Sequence, residues 1–154
     1  MPNTTILEGK KVLIVDDEPD IVEAIEELLP MCDVSSATSF ETAQQMLDGR
    51  HFDIAVFDIM GVRGYDLLSI ANQKGITTVM LTAHAMNPIN FAKSMDSGAC
   101  AYLPKDILYT IHEFLADIIE NGNDACGLLG GWFDRLSEFY ERKFGPGWFD
   151  DYFG

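Results

Sequence analysis

Short apolar runs alternate with amphipathic helical segments along most of this chain, and this alternation constrains the fold more than any other feature. The first run is residues 11–16 (KVLIVD), and residues 20–29 follow it with apolar side chains at helical spacing. The remaining predicted strands are 33–36, 53–57, 77–81 and 99–103, and the helices after them are 40–47, 65–73, 88–95 and 106–120. A helix after every strand predicts an α/β fold with a five-stranded parallel sheet.

The chain after residue 121 departs from this alternation. Asn121-Gly122-Asn123 predicts a helix end and a linker, and Gly145-Pro146-Gly147 ends one further helix. Apolar side chains share one face of that helix and continue beyond it: Leu128, Leu129, Trp132, Phe133, Leu136, Phe139, Tyr140, Phe144, Trp148, Phe149, Tyr152 and Phe153. We therefore predict a domain at 9–121 and an aromatic, amphipathic helical extension at 122–154.

An aromatic face of this size is not expected to stay in water. It could pack on its own domain as a sixth helix, or it could bind a partner, including a second copy in a homodimer. Membrane contact is a third reading, which the scarcity of basic residues disfavours. The sequence leaves all three open.

Charge and cysteine usage exclude several classes of function. A formal net charge of -15 repels nucleic acids and anionic membranes, and no helix-turn-helix pattern or basic patch appears. No run of about 18 apolar residues predicts a membrane span. Residues 1–10 lack the apolar stretch of a signal peptide.

The cysteines are three in number, Cys32, Cys100 and Cys126, and form no CxxC pair. We therefore expect packing residues without a disulfide and a cytoplasmic location.

Polar side chains follow the predicted strands where those strands end. Asp16 and Asp17 follow the first strand, Asp58 the third, Thr82 the fourth and Lys105 the fifth. The carboxyl ends of parallel strands meet at one edge of a sheet, so these side chains should lie together. Two carboxylates about 4 Å apart repel by roughly 4 kcal/mol at an effective dielectric constant of about 20. Either a carboxyl pKa rises or a cation binds, and the oxygen ligands suit Mg²⁺.

The same set of groups suits phosphoryl transfer. A carboxylate can act as the nucleophile and form an aspartyl phosphate. The transition state carries spread negative charge, which Mg²⁺ and the ammonium of Lys105 would stabilise. The hydroxyl of Thr82 could donate a hydrogen bond to a phosphoryl oxygen, and the small side chain of Ala83 leaves room for it.

Four segments at the predicted strand ends carry a family resemblance. Residues 15–19 (VDDEP), 56–60 (VFDIM), 81–84 (LTAH) and 102–105 (YLPK) together resemble the receiver domain of bacterial response regulators. The resemblance covers roughly residues 9–120. It implies a flavodoxin-like (βα)5 fold with strand order 2-1-3-4-5, to which the C-terminal helix is added.

The resemblance assigns the acceptor and the metal ligands. Asp58 is expected to accept the phosphoryl group. Mg²⁺ is expected to bind the carboxylates of Asp16, Asp17 and Asp58 and the backbone carbonyl of Met60.

It also assigns the residues that would respond to the phosphate. Thr82 is expected to be the switch hydroxyl, with Ala83 beside it, and Lys105 the ion-pair partner of the phosphoryl group. Tyr102 is expected to move inward when Thr82 engages the phosphate. The side chain of Met60 and His84 are candidates for tuning the lifetime of the phosphate.

Partners follow from the resemblance as well. The phosphoryl donor of such domains is usually a phosphohistidine on a sensor histidine kinase or a phosphotransfer protein. Phosphorylation is expected to shift a population and to remodel the face around the fourth helix, fifth strand and fifth helix. The output is then a contact with a downstream protein. The implied protein is a phosphoprotein of a two-component phosphorelay and not an enzyme, apart from self-catalysed phosphorylation and dephosphorylation.

The loop after Asp58 departs from the family pattern, and two other functions compete. Residues 61–66 (GVRGYD) lack the usual proline, and Arg63 and Tyr65 are unusual there, which would affect kinase docking or the lifetime of the phosphate. One competing function is an interaction module that uses the extension and never uses phosphate. The other is a phosphatase of the haloacid dehalogenase kind, which needs a second aspartate where Met60 stands.

Overall fold

The computed structural model describes residues 4–153 and contains a five-stranded sheet in the order β2-β1-β3-β4-β5. Every neighbouring pair of strands is parallel. The strands are β1 Lys11–Val15, β2 Asp33–Ala37, β3 Ile54–Asp58, β4 Thr77–Thr82 and β5 Ala101–Pro104. The predicted α/β class and the strand order implied by the resemblance are both confirmed.

Seven α-helices are present in the described residues, and 3₁₀ turns connect some of them. The helices are α1 Pro19–Leu28, α2 Phe40–Gly49, α3 Gly64–Gln73, α4 Pro88–Asp96, α5 Ile111–Asn121, α6 Gly131–Phe144 and α7 Trp148–Phe153. The 3₁₀ turns are Thr4–Leu7, Lys105–Thr110, Gly122–Ala125 and Gly127–Leu129. Local chemistry sets some of the helix starts: Ser39 and Asn87 cap α2 and α4 by accepting a hydrogen bond from a backbone amide of the first turn.

The apolar strands form the core of the sheet. All residues of β3 are buried, as are those of β1 after Lys11, because helices cover both faces of a parallel sheet. The helix predicted at 106–120 is interrupted: a 3₁₀ turn precedes α5, and Ile107 has non-helical angles of φ -108 and ψ 20. Apolar periodicity does not reveal this interruption, because Ile107 and Leu108 in the turn still pack, partly buried, against the core.

The aromatic extension packs on its own domain, as the first of the three readings predicted. Trp132, Leu136, Tyr140 and Trp148 are buried. Leu129 is an exception to the predicted face: it lies in a 3₁₀ turn before α6 and is 94% exposed. None of the helices within residues 4–153 has both the length and the apolar character that crossing a bilayer requires.

The prediction of three unpaired cysteines is wrong. Cys100 and Cys126, which are 26 positions apart in the sequence, form a disulfide, and Cys32 is the remaining free thiol. The backbone amide of Gly127 donates to the carbonyl of Cys100 at 2.8 Å, so the linker folds back against the start of β5. This proximity depends on how the extension docks, which cysteine spacing does not show. Cysteine usage therefore does not support the predicted reducing compartment.

Candidate functional site

The carboxyl edge of the sheet brings the predicted site residues together. Asp16 follows β1, Asp58 and Thr82 are the last residues of β3 and β4, and Lys105 follows β5 directly. Asp16 is 1% exposed and Asp58 4% exposed, and Thr82 is fully buried, whereas Asp17 lies at the surface of the site. The parallel arrangement thus brings groups that are distant in sequence together at the carboxyl edge of the sheet. We call this part of the surface the acidic mouth.

Lys105 connects the acidic groups. Its Nζ lies 2.8 Å from Asp16 Oδ2, 3.4 Å from Asp58 Oδ1 and 3.2 Å from Glu18 Oε1. The lysine side chain is itself largely buried, so solvent and salt screen these ion pairs less than surface pairs. Glu18 was not predicted as a partner of Lys105. The only indication in the sequence that Glu18 lies near Lys105 was its place in the VDDEP segment.

Burial and like charges shift the acidity of the site. Burial, reinforced by the negative charge of Asp16 and opposed by Lys105, raises the pKa of Asp58 to about 7. Burial also raises the pKa of Asp16, although Lys105 and the amide of Glu18 oppose this. Burial alone would lower the pKa of Lys105, but its contacts with Asp16 and Asp58 raise it above the usual range. One ammonium is therefore not enough to keep both buried aspartates readily ionised.

The donor set at this mouth fits a hard divalent cation. Carboxylate oxygens of Asp16, Asp17 and Glu18 lie within 4.8 Å of one another. Asp16 Oδ2 is buried and its near neighbour is the ammonium of Lys105 at 2.8 Å, whereas the carboxylates of Asp17 and Glu18 are exposed and open to a cation. Oxygen ligands of this kind are those that Mg²⁺ prefers. The carbonyl of Met60 as a ligand stays a prediction.

Two glycines, whose role was not predicted from the sequence, let the loop after Asp58 approach the site closely. Gly61 has φ 88, and a Cβ atom there would collide with the carboxylate of Asp17. A Cβ atom on Gly64 would collide with the backbone carbonyl of Asp58. The indication available in the sequence was the position of these glycines, three and six residues after Asp58.

The unusual side chains of this loop anchor it to neighbouring helices. Arg63, at φ 55, places its guanidinium 4.1 Å from the ring centre of Phe40, and its Nε lies 2.8 Å from Asp66 Oδ2. The hydroxyl of Tyr65 lies 2.9 Å from Asn90 Oδ1 and 3.1 Å from Ser94 Oγ, which ties α3 to α4. The loop is therefore held in place without the proline usual in the family.

Thr82 and Tyr102 both contact the loop between β4 and α4. Thr82 Oγ1 accepts a hydrogen bond from the amide of Ala85 at 2.9 Å. The Tyr102 hydroxyl donates to the carbonyl of Ala85 and accepts from the amide of Asn87 at 3.2 Å. Tyr102 is fully buried, and that burial raises the pKa of its hydroxyl above the usual range. The inward position of Tyr102 thus coexists with a Thr82 hydroxyl held by Ala85, and the predicted link to phosphate stays a prediction.

Three further predicted residues lie at the open side of this mouth. Ala83 and His84 are exposed, and Met60 is 53% exposed. Their positions are compatible with contact to an incoming group. Their roles beside the phosphate or in its lifetime stay predictions.

Comparisons with known proteins agree on one family. Residues 12–117 match the response regulator receiver domain family. The two-component response regulator ARR18 of Arabidopsis thaliana is 32% identical over 105 residues, which are 64% of this chain and 16% of that protein. ORR21 of Oryza sativa subsp. indica is 29% identical over 106 residues, 64% of this chain and 15% of that protein. The match thus spans less than a fifth of the length of these relatives.

Solved structures show the same fold. A CheY-like response regulator receiver domain protein from Methanospirillum hungatei is 27% identical with a TM-score of 0.62, covering 74% of this chain and 98% of that one. The receiver domain of the Francisella response regulator 1452 has a TM-score of 0.64 at 24% identity, covering 73% and 98%. The latter likeness supports the fold alone. Because the family match spans most of the chain and the strand order agrees, this chain belongs to the receiver domain family of two-component response regulators.

Proposed function

We propose that this chain accepts a phosphoryl group on Asp58, with Mg²⁺ bound by Asp16, Asp17, Asp58 and the backbone carbonyl of Met60, and that it signals through protein contacts. The observation that carries the proposal is the buried carboxylate of Asp58, whose Oδ1 lies 3.4 Å from Lys105 Nζ at the same mouth as two further aspartates. A nucleophile, a cation and metal ligands are thus in reach of one incoming group.

The chemistry is a displacement at phosphorus. The Asp58 carboxylate attacks the phosphorus of a phosphohistidine, a phosphorus–oxygen bond forms, and the phosphorus–nitrogen bond breaks. The imidazole leaves with the electron pair of the broken bond and takes up a proton. Mg²⁺, when bound, neutralises charge on the phosphoryl oxygens and favours the ionised form of Asp58.

Residues of this chain supply the remaining stabilisation. Lys105, whose pKa is raised, stays cationic at neutral pH and offers its ammonium to a phosphoryl oxygen. Thr82 would donate its hydroxyl to a second oxygen once it turns away from Ala85. The small side chain of Ala83 leaves space at the mouth. The donor is a sensor histidine kinase or a phosphotransfer protein, and the reaction stops at the aspartyl phosphate, as in a signalling domain rather than an enzyme with turnover.

The competing functions have less support. A phosphatase of the haloacid dehalogenase kind needs an acid two residues after the nucleophile, and Met60 offers none. A phosphate-independent interaction module would rely on the aromatic extension. Much of its aromatic face, including Trp132, Tyr140 and Trp148, is buried on its own domain.

The test is labelling by acetyl phosphate with Mg²⁺, followed by intact mass or by an acid-labile phosphate assay. We expect one phosphoryl group on the wild-type chain and none on Asp58→Asn. Asp53→Asn is the matched control, since Asp53 precedes β3 at the opposite end of that strand, where its carboxylate accepts a hydrogen bond from the amide of Lys11 at 2.8 Å. Equal labelling of wild type and Asp58→Asn would remove Asp58 from this role.

A further inference from the structure

Two features attach the extension to its own domain, and the first is a set of aromatic contacts around one residue of α4. Phe91 is fully buried. Six rings of α6 and α7 have centroids within 6.3 Å of its own: Trp132, Phe133, Tyr140, Phe144, Trp148 and Phe153. We call these rings, together with Phe91, the aromatic cluster.

The second feature is the disulfide at the beginning of the extension. It joins Cys126, in the linker between α5 and α6, to Cys100, which directly precedes β5. The amide of Cys100 donates to the carbonyl of Thr78 at 2.7 Å, and the amide of Gly127 donates to the carbonyl of Cys100 at 2.8 Å. Backbone hydrogen bonds therefore also hold the two segments side by side, so the sulfurs of a reduced chain would stay close enough to pair again.

The linker itself has few buried contacts besides the crosslink. Among residues 122–130, only Ala125 and Gly130 are buried. Leu129 is 94% exposed, and residues 122–124 are exposed as well. A segment with so little buried surface has low local stability. The crosslink is therefore a main source of order in the linker.

The crosslinked part of the linker contacts the aromatic cluster through one glycine. A Cβ atom on Gly130 would collide with the carbonyl oxygen of Ala125, the residue before Cys126, and would lie 2.8 Å from Trp132 Cδ1. The backbone of Gly130 is thus packed between the crosslinked segment and a buried ring of α6. A displacement of Ala125 and Cys126 would take away a packed neighbour of Gly130 and so loosen the support of Trp132.

The disulfide is within reach of reagents in solution. Cys100 is 3% exposed, whereas Cys126 is partly exposed. Both cysteines line a surface cavity of about 240 Å³, together with Asn123 of the linker. Cys126 is thus the more open of the two half-cystines.

We propose that the Cys100–Cys126 disulfide is a reversible redox site that a dithiol reduces, and that its reduction lets the extension separate from the domain while the five-stranded sheet stays folded. Reduction removes one of the two attachments and leaves the aromatic cluster as the other. The helices α6 and α7 then open more often, and opening exposes Phe91 and the rings that face it. The inference is independent of phosphoryl transfer, because no residue of the acidic mouth takes part.

The redox step is a thiol–disulfide exchange in two stages. A thiolate of the dithiol attacks Cys126 Sγ, a new sulfur–sulfur bond forms, and Cys100 leaves as a thiolate that takes up a proton. The second thiol of the reductant then attacks its own sulfur in the mixed disulfide, and Cys126 leaves as a thiol. The reductant departs as a disulfide, having given two electrons to the pair of cysteines.

Urea unfolding of the full chain, followed by two probes, tests the release of the extension. The chain has 2 tryptophans, Trp132 and Trp148, and both are buried in the extension, so their emission reports on α6 and α7. Far-ultraviolet ellipticity reports on the whole chain. We expect the two transitions to coincide in the oxidised chain. In the chain reduced by dithiothreitol, the emission midpoint should fall below the ellipticity midpoint by at least about 0.5 M urea. Coincident transitions in the reduced chain would overturn the inference, since the crosslink would then stabilise only the chain as a whole.

Reduction of the folded chain tests whether the site is accessible and reversible. We expect dithiothreitol without urea to reduce the disulfide at a rate within about tenfold of the rate in urea, as measured by alkylation and intact mass. Removing the reductant and admitting air should restore the oxidised mass and the coincident transitions. A disulfide that is reduced only after urea has unfolded the chain would overturn the inference.

Two variants separate this disulfide from the free thiol. The double variant Cys100→Ser, Cys126→Ser should show separate transitions without a reductant, and dithiothreitol should not change them. Cys32→Ser should behave as the wild type in both redox states, since Cys32 is the free thiol and its Sγ donates to the carbonyl of Leu7. A response to dithiothreitol that persists in the double variant would overturn the inference. Should the double variant fail to fold, the reduced wild-type chain decides the question.

Discussion

The ammonium of Lys105 lies 3.4 Å from the carboxylate of Asp58, and both side chains are withdrawn from solvent. Solvent and salt screen a buried pair only weakly, so each side chain stabilises the charged form of the other. The ammonium also contacts Asp16 at 2.8 Å, which leaves less than one positive charge for each buried aspartate. Within the described residues, Lys105 is thus a single ammonium shared by two buried carboxylates.

Replacing the lysine tests this dependence. Lys105→Met keeps the length of the side chain and removes the charge, so the pKa of Asp58 should rise further and the phosphoryl oxygens should lose a partner. We expect the rate of labelling by acetyl phosphate at pH 7 to fall by at least about tenfold. Lys93→Met is the matched control, because Lys93 lies 4.2 Å from the ring centre of Tyr65 and away from the acidic mouth. Equal rates in the two variants would contradict the role of Lys105.

The pH dependence of stability should report the raised pKa of Asp58. Its folded pKa of about 7 exceeds the value of 3.8 for an unperturbed carboxyl, so the folded state binds more protons between these values. Without Mg²⁺, its contribution to the free energy of unfolding should fall as pH rises through this range and level off above it. The difference between wild type and Asp58→Asn, measured by urea unfolding in EDTA, isolates the contribution from other carboxyls. A difference that does not change with pH would argue against the raised pKa.

Mg²⁺ should reverse that loss. On the proposed function the ion would bind the ionised carboxylates, so it would stabilise the folded state most above the folded pKa of Asp58. We expect the midpoint of urea unfolding at pH 8 to rise with Mg²⁺ in the wild type and to rise much less in Asp58→Asn. A Mg²⁺ effect of the same size in both proteins would point to binding elsewhere.

Much of the site could be predicted because it follows from strand direction. Once residues 11–16, 53–57 and 77–81 are interpreted as buried parallel strands, the positions of Asp16, Asp58 and Thr82 at one edge require no tertiary detail. The sheet order needed the family resemblance, since alternation of strands and helices alone allows several orders.

What could not be predicted depends on packing between distant segments. The contact of Glu18 with Lys105 and the approach of Gly61 to Asp17 arise only when separate loops meet. The pairing of Cys100 with Cys126 requires the linker to fold back against β5. Periodicity identifies which residues of the extension are apolar, but it does not say which surface they cover.

The disulfide should contribute measurably to stability. A crosslink between residues 26 positions apart restricts the unfolded chain, and the expected loss on reduction is about 3 kcal/mol of the free energy of unfolding. Urea unfolding with and without dithiothreitol measures the loss, and Cys126→Ser should reproduce it. Cys32→Ser, at the free thiol, should have little effect. Thiol titration should find one reactive cysteine in the unfolded, unreduced chain, and finding three would contradict the crosslink.

Gly61, in the loop beside the proposed metal ligands, offers a substitution whose two effects can be separated. Gly61→Ala introduces strain at φ 88 and also pushes a methyl group into the carboxylate of Asp17. Gly75→Ala is matched in strain, since Gly75 has φ 72, but nothing lies within 4 Å of the added atom. Both variants should lose about 1 kcal/mol of stability from the backbone alone. Only Gly61→Ala should weaken Mg²⁺ binding, by about tenfold, because the displaced carboxylate of Asp17 would no longer contact the ion. Isothermal titration with Mg²⁺ distinguishes the two, and equal affinities would mean that Asp17 does not hold the ion.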